Sequence, residues 1–165
     1  MNKKDIQKRI TKNGIEINLK DFSWDNKTNI ISTNLDGYIF DFNDIDNINF
    51  ITGSYCTFNT GSNCTFNTEF NCTFNTGSNC TFKTGWNCTF NTEFNCTFNT
   101  EYNCTFNTRW NCVVIRRDVH EVIELEKEIT FQLAPYKIKG YVSNGIYSVT
   151  GKPAIITDGI LLELI

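Results

Sequence analysis

The segment Gly61–Phe82 reads GSNCTFNTEFNCTFNTGSNCTF, nearly the same statement every eight residues. All eight cysteines of the chain keep that register: Cys56, Cys64, Cys72, Cys80, Cys88, Cys96, Cys104 and Cys112. Two residues after each of the first seven stands a phenylalanine, from Phe58 to Phe106, and after Cys112 the place goes to Val114. Cys-Thr-Phe alternates apolar, polar, apolar, the period of a half-buried strand, so Cys and Phe point inward. The remaining Asn-Thr-Gly-Ser-Asn is corner chemistry, with Gly expected at positive φ and Asn and Ser bonding their own backbone. A fixed short period of strand plus corner signals stacked units that cover one another's apolar faces. The fold class is therefore all-β, a β-solenoid.

The register continues backwards through NINFITGS, with Ile48 and Phe50 in the two inward slots, and IFDFNDID, with Phe40 and Phe42, giving ten octads over residues 39–118. One octad encloses too little room for an inward Phe. Two octads per coil set strands of opposite direction face to face, so that each Phe is expected across from a Cys over roughly 10 Å. Sixteen residues per coil is the preferred reading, with about 4.8 Å between coils and a rod on the order of 24 Å; a three-octad triangular prism stays open. Residues 1–38 and 119–165 break the period and read as N- and C-terminal β caps over the exposed strand ends. The C-terminal part carries strand-like runs at HEVIEL, EITFQL, IKGYVSNGIYSVT and AIITDGILLELI, with Asn144-Gly145 as a hairpin turn.

With 165 residues the chain can bury a core without staples, and a net charge of −3 gives neither a phosphate-binding surface nor a nucleic-acid mimic. No run of apolar residues suggests a signal peptide or a membrane span, so neither secretion nor a membrane partner is expected. Metal sites cluster their ligands, whereas these cysteines are evenly spread and His120 is the single histidine; no metal and no cofactor is expected. Cysteine reads instead as a small buried hydrophobe. Asn-Cys-Thr is formally a glycosylation sequon six times over, from Asn63 to Asn103, and reads as coincidence. No nucleophile, base and phosphate loop come together, so no catalytic residue is assigned and an enzyme is not expected.

Two surface features remain. Outward Thr and Asn rows, Thr57 to Thr105 and Asn59 to Asn107, broken only by Lys83, read as hydrogen-bonded ladders or, alternatively, as a flat ice-binding array. The corner pairs alone vary: Gly61-Ser62, Glu69-Phe70, Gly77-Ser78, Gly85-Trp86, Glu93-Phe94, Glu101-Tyr102 and Arg109-Trp110. A sixteen-residue coil stacks Phe70, Trp86 and Tyr102 along one edge and Phe94 and Trp110 along the other. Rings at that density on corners are expected to be covered by a second copy, another protein such as a virion component, a glycan, or the C-terminal region.

The array, its entry GYIFDFNDIDN (residues 37–47) and its exit NCVVIRRDVHEVIELE (residues 111–126) resemble octapeptide-repeat proteins of tailed phages and related viral or microbial sequences. That resemblance implies a virus- or phage-encoded chain but carries over no activity; the rigid scaffold with variable aromatic corners and no catalytic chemistry reads as a non-enzymatic structural or interaction protein, a virion or fibre component expected in the virion or the host cytoplasm. A looser resemblance to pentapeptide-repeat proteins implies a protein mimic or inhibitor as a further alternative.

Overall fold

The computed structural model describes residues 1–149 in full and the backbone of 152–157 and 160–164. After a short helix, α1 (Lys3–Gln7), come β1 (Ile10–Lys12), β2 (Ile15–Glu16), β3 (Ser23–Asp25), β4 (Ile30–Ser32), β5 (Ile39–Phe42) and β6 (Asn49–Ile51). The array supplies β7 (Thr57–Thr60), β8 (Thr65–Asn67), β9 (Thr73–Thr76), β10 (Thr81–Lys83), β11 (Thr89–Thr92), β12 (Thr97–Thr100), β13 (Thr105–Thr108) and β14 (Cys112–Arg116). Then follow β15 (Glu121–Leu125), β16 (Ile129–Leu133), β17 (Tyr141–Ser143), β18 (Ile146–Val149), β19 (Lys152–Thr157) and β20 (Ile160–Leu164). Successive array strands alternate between two sheets, β5-β7-β9-β11-β13 in sheet A and β4-β6-β8-β10-β12-β14 in sheet B. From β6 to β12 each pairs in parallel with the strand sixteen residues on, Phe58 with Phe74 and Phe66 with Phe82, whereas Ile31 pairs with Phe50 and Phe40 with Phe58 over longer first coils. The molecule is a β-solenoid of two octads per coil with terminal strands as caps, and the triangular prism is excluded.

Three side chains per octad point inward, not two: Cys, Phe and the second Thr, such as Cys64, Phe66 and Thr68, are all buried. Facing strands run in opposite directions, so the middle position of one meets the middle of the other. Phe therefore faces Phe, which corrects the expectation of Phe across from Cys; Cys lies near the Thr four residues before it, at the corner. Within sheet A the rings of Phe40, Phe58, Phe74, Phe90, Phe106 and Phe131 stack at 4.8–5.1 Å, and sheet B repeats this from Phe50 to Phe98 at 4.9–5.2 Å. Across the gap, rings meet edge to face at 4.9–5.8 Å. Positive ring edges thus point at negative ring faces, worth about 0.5–1.5 kcal/mol per pair beyond area burial.

The phase of the first octad also needs correcting. Phe40 pairs with Phe58 and Phe42 with Thr60, so Phe40 holds the Phe slot and Phe42 the Thr slot. Phe40 and Phe50 hold the same slot but lie ten residues apart, so two extra residues between them shift the octad phase, which hid this.

Corners depend on a different residue from the one expected. Asn63, Asn71, Asn79, Asn87, Asn95, Asn103 and Asn111 all take positive φ, between 55° and 60°. Asn reaches the left-handed region more readily than other side chains, so the turn favours Asn before seven of the eight cysteines, with Tyr55 at φ 58° before Cys56, and the recurrent sequon is a by-product. Gly53, Gly61, Gly77 and Gly85 do not adopt positive φ. At the first three of these a Cβ would come within 2.1–2.3 Å of the side chain one coil below, of Asp36, Asp46 and Ser62 respectively. Those side chains accept the next backbone N–H, Ser54 N to Asp36 Oδ1 at 2.7 Å, Ser62 N to Asp46 Oδ1 at 2.6 Å and Ser78 N to Ser62 Oγ at 3.1 Å. Glycine here makes room for a capping hydrogen bond.

The inward hydroxyls differ in how they are satisfied. Thr100 Oγ1 donates to Gly85 O at 2.9 Å, receives Thr84 Oγ1 at 2.9 Å and touches Cys104 Sγ at 3.1 Å, whereas Thr68 and Thr108 have buried hydroxyls with no partner. Thr100→Val is expected to lose about 1–3 kcal/mol in urea unfolding, while Thr68→Val and Thr108→Val are expected to be neutral or stabilising. Equal effects at the three positions would contradict this hydrogen-bond assignment.

Both ends are closed by antiparallel strands. At the N-terminal end β1 pairs β5, β3 pairs β4, and α1 buries Ile6 in the common core. Asn2 and Asp5 cap that helix reciprocally at 3.0 and 3.1 Å. At the C-terminal end β15 covers β14 and β16 covers β13. The expected strands at HEVIEL and EITFQL are β15 and β16; Asn144-Gly145, with φ of 52° and 75°, turns β17 into β18 as expected. AIITDGILLELI contributes β19 and β20, with 158–159 and 165 outside the described residues. Sheet A runs on through β17, β18, β19 and β20, whereas sheet B stops at β15. In the last coil Arg116 takes the inward Thr slot, opposite Thr100 in register. Its guanidinium is fully buried, bonding Asp118 at 2.7 Å, the carbonyl of Ile138 at 2.7 Å and that of Gly140 at 3.3 Å, with Glu121 at 3.6 Å. Glu121 in turn accepts Gly140 N at 2.9 Å. Among the described residues no helix is long and apolar enough to cross a membrane.

Candidate functional site

The coil geometry sorts the variable corners into two edges. Corners leading from sheet B to sheet A form the first edge, and here Phe70 stacks on Trp86 at 4.6 Å and Trp86 on Tyr102 at 5.9 Å, with near-parallel rings. Tyr55 meets Phe70 edge-on at 5.6 Å below, and Tyr136 meets Tyr102 at 5.1 Å above. The second edge brings Phe94 onto Trp110 at 5.2 Å, continuing downward as the polar stack of Ser78, Ser62 and Asp46. The five residues expected at corners are therefore placed as two columns. Tyr55 and Tyr136 extend the first column and were not foreseen. Tyr55 occupies the slot that asparagine holds in later octads, a departure that could have been noticed; Tyr136 comes from a loop with no periodic signal.

Along the first edge, ring faces are occupied by neighbouring rings, so the rims face outward. Tyr55 and Tyr136 are more than half exposed, while Phe70, Trp86 and Tyr102 are half-buried. Arg117 braces this edge, pairing with Glu101 at 3.1 Å and donating to Asn99 O at 2.8 Å and to the carbonyl of Thr84. Ser54 Oγ donates to Glu69 at 2.9 Å lower down. On the second edge Arg109 pairs with Glu93 at 3.1 Å, an exposed pair worth little on its own. A sugar ring stacks on an aromatic face, and on these columns such faces are largely taken; Trp110, half exposed at the end of its column, is the most open ring of the second edge.

The flat face of sheet A carries a ladder. On sheet A, Asn91 Nδ2 donates to Asn75 Oδ1 and Asn75 Nδ2 to Asn59 Oδ1, each at 2.9 Å, and Thr130 continues the row onto Asn107 at 3.2 Å. Amides that bond one another up the rod account for these rows as internal ties. Lys83 interrupts the corresponding row on sheet B.

Inside, all eight cysteines are free and buried. Each sulfur donates to a backbone carbonyl, Cys64 to Ser62 at 3.4 Å and Cys104 to Gly85 at 3.5 Å among them. Hydrogen bonds between the thiols of adjacent coils split their pKa values: those of Cys56, Cys64, Cys88 and Cys96 are raised by the bond to the neighbouring thiol and by burial, while those of Cys72, Cys80 and Cys112 are lowered by the same kind of bond. Burial closes all eight to attack from solvent. Among the described residues no group of three or more His, Cys, Asp or Glu side chains is arranged to hold a metal ion.

Compared with protein-family models, with curated proteins and with solved structures, the chain shows no match.

Proposed function

We propose that the protein is a rigid, non-enzymatic scaffold that presents the first-edge aromatic column to a partner protein, as a structural component of a virus or phage particle or fibre. One observation carries this reading: rings from Tyr55 to Tyr136 line up along a single edge of the rod, while the thiols that could do chemistry are turned inward onto backbone carbonyls. Variable residues on a rigid frame are where recognition concentrates. Rims of stacked rings form a narrow apolar ridge, which suits a groove on a protein better than a sugar. The resemblance to phage octapeptide-repeat proteins supports the particle setting.

The test is site-specific photocrosslinking. A benzoylphenylalanine replacing Trp86, in extracts of cells producing virus particles, is expected to capture one or a few particle proteins. The same group replacing Asn59, on the flat face, is expected to capture none of them. Identical products from both positions would contradict the proposal.

A further inference from the structure

The two ends of the rod are closed differently. At the N-terminal end the sheets finish together, with β2 as the outer strand of sheet A and β3 of sheet B. At the C-terminal end sheet A continues for four strands, β17 to β20, beyond the last level at which sheet B has a strand opposite it. Among the described residues no strand of sheet B lies opposite this extension on the face that continues the core side. Tyr141, paired with the inward Leu133, packs on Phe131 at 5.0 Å and helps line a cleft of about 300 Å³ with Leu125, Ile129, Glu124 and Lys127. By register Ile146 shares the face of Tyr141, and it is exposed.

Among the described residues the same end offers two strands paired on one side only, β15 in sheet B and β20 in sheet A. In β14 the amides of Val113 and Arg117 point down the rod, to Cys96 O and Thr100 O. Backbone alternation then directs Cys112, Val114 and Arg116 at β15, where they meet Leu125, Ile123 and Glu121. The N–H and C=O of Val122 and Glu124 are left facing the open side.

We propose that a second copy of this chain fills the missing layer, giving a tail-to-tail dimer of double length. A two-fold axis perpendicular to the rod and running from edge to edge exchanges the sheet A side with the sheet B side and inverts the direction of the rod. It sets the second copy's β17–β20 in the vacant layer above β15. β15 runs from the first edge to the second, and strand alternation through β16 to β20 sends β20 the opposite way, so β15 and the second copy's β20 meet antiparallel. The reciprocal pair forms on the other side, and every open edge at this end is closed. The contact is isologous, each copy supplying the layer that the other lacks. Four strands about 4.8 Å apart and about five residues long make a face of roughly 19 by 16 Å. Covering two such faces and two edges removes on the order of 1,000 Å² from water, where specific association begins. The proposal extends the particle reading but is independent of the aromatic edge, and Trp86 variants are expected to leave it untouched.

Light scattering on the eluted full-length protein is expected to give twice the 19.0 kDa chain mass. Glu124→Pro removes only an outward-facing N–H, which an edge strand tolerates, and Ile146→Lys places a charge in the covered layer. Both are expected to yield a monomer with an unchanged circular dichroism spectrum. Hydrogen exchange on the wild type is expected to show protected amides at Val122 and Glu124, and this readout decides the matter if either variant unfolds. A wild-type monomer at 0.1 mM, a dimer that survives both substitutions, or fast exchange at Val122 and Glu124 would overturn the proposal.

Discussion

Phe82→Ala is expected to cost roughly 3–5 kcal/mol, the range for removing a fully buried ring. The cost falls at the upper end because Phe82 touches four other rings, Phe66 and Phe98 at 4.9 Å and Phe74 and Phe90 at 5.2 Å. Removing it interrupts both the stack of sheet B and its edge-to-face contacts with sheet A at mid-rod. Stability in a stacked repeat resides in interfaces between neighbouring units, so the loss also weakens coupling between the two halves. A melting temperature lower by about 10–20 °C is expected for a chain of this size. Phe82→Leu keeps most of the volume and is expected to lose about 1.5 kcal/mol. Urea unfolding measures both; a loss below about 1 kcal/mol for alanine would mean that the ring column does not hold the rod together.

Arg116→Ala is the second large effect, also roughly 3–5 kcal/mol, and it arises differently. The arginine's own attraction to Asp118 and Glu121 is largely offset by the cost of drying three charges. What the substitution creates is a pair of carboxylates buried without a cation, since Asp118 and Glu121 are 4% and 3% exposed. The carbonyl of Ile138 loses its donor as well, and that of Gly140 keeps only the Ala134 N–H at 3.0 Å, so the loop that seals the last coil is held less firmly. Adding Asp118→Asn and Glu121→Gln to the alanine variant is therefore expected to recover a good part of the loss. Arg116→Lys is expected to fall between, because an ammonium cannot supply the fork that grips Asp118 at 2.7 and 3.2 Å while reaching two carbonyls. If the triple variant is no more stable than Arg116→Ala, desolvated charge is not the cause.

The sixteen-residue coil was legible because Cys-Thr-Phe alternates with the pleat and because an eight-residue coil cannot hold a ring. The pairing of Phe70, Trp86 and Tyr102 on one edge, apart from Phe94 and Trp110, followed from that coil length alone. The third inward position escaped notice because threonine is polar in a pattern read for apolar residues; its hydroxyl is accommodated by corner carbonyls and by the neighbouring thiol. Glycine was assigned the left-handed turn on general grounds, yet asparagine holds it before every cysteine but Cys56, and glycine serves only where a side chain from the coil below needs space. Arg116 lies in the last octad, where the pattern gives no sign that a charge turns inward. Its inward direction depends on Asp118, Glu121 and the carbonyls of a distant loop, none of which a local pattern can announce. Tyr136 reaches Tyr102 through that same loop.

A thiol titration tests the central claim most directly. With a soluble disulfide reagent, the native protein is expected to react at none of its eight cysteines over the time in which the guanidinium-unfolded protein reacts at all eight. Immediate reaction of several thiols in the native protein would contradict a rod wound around them.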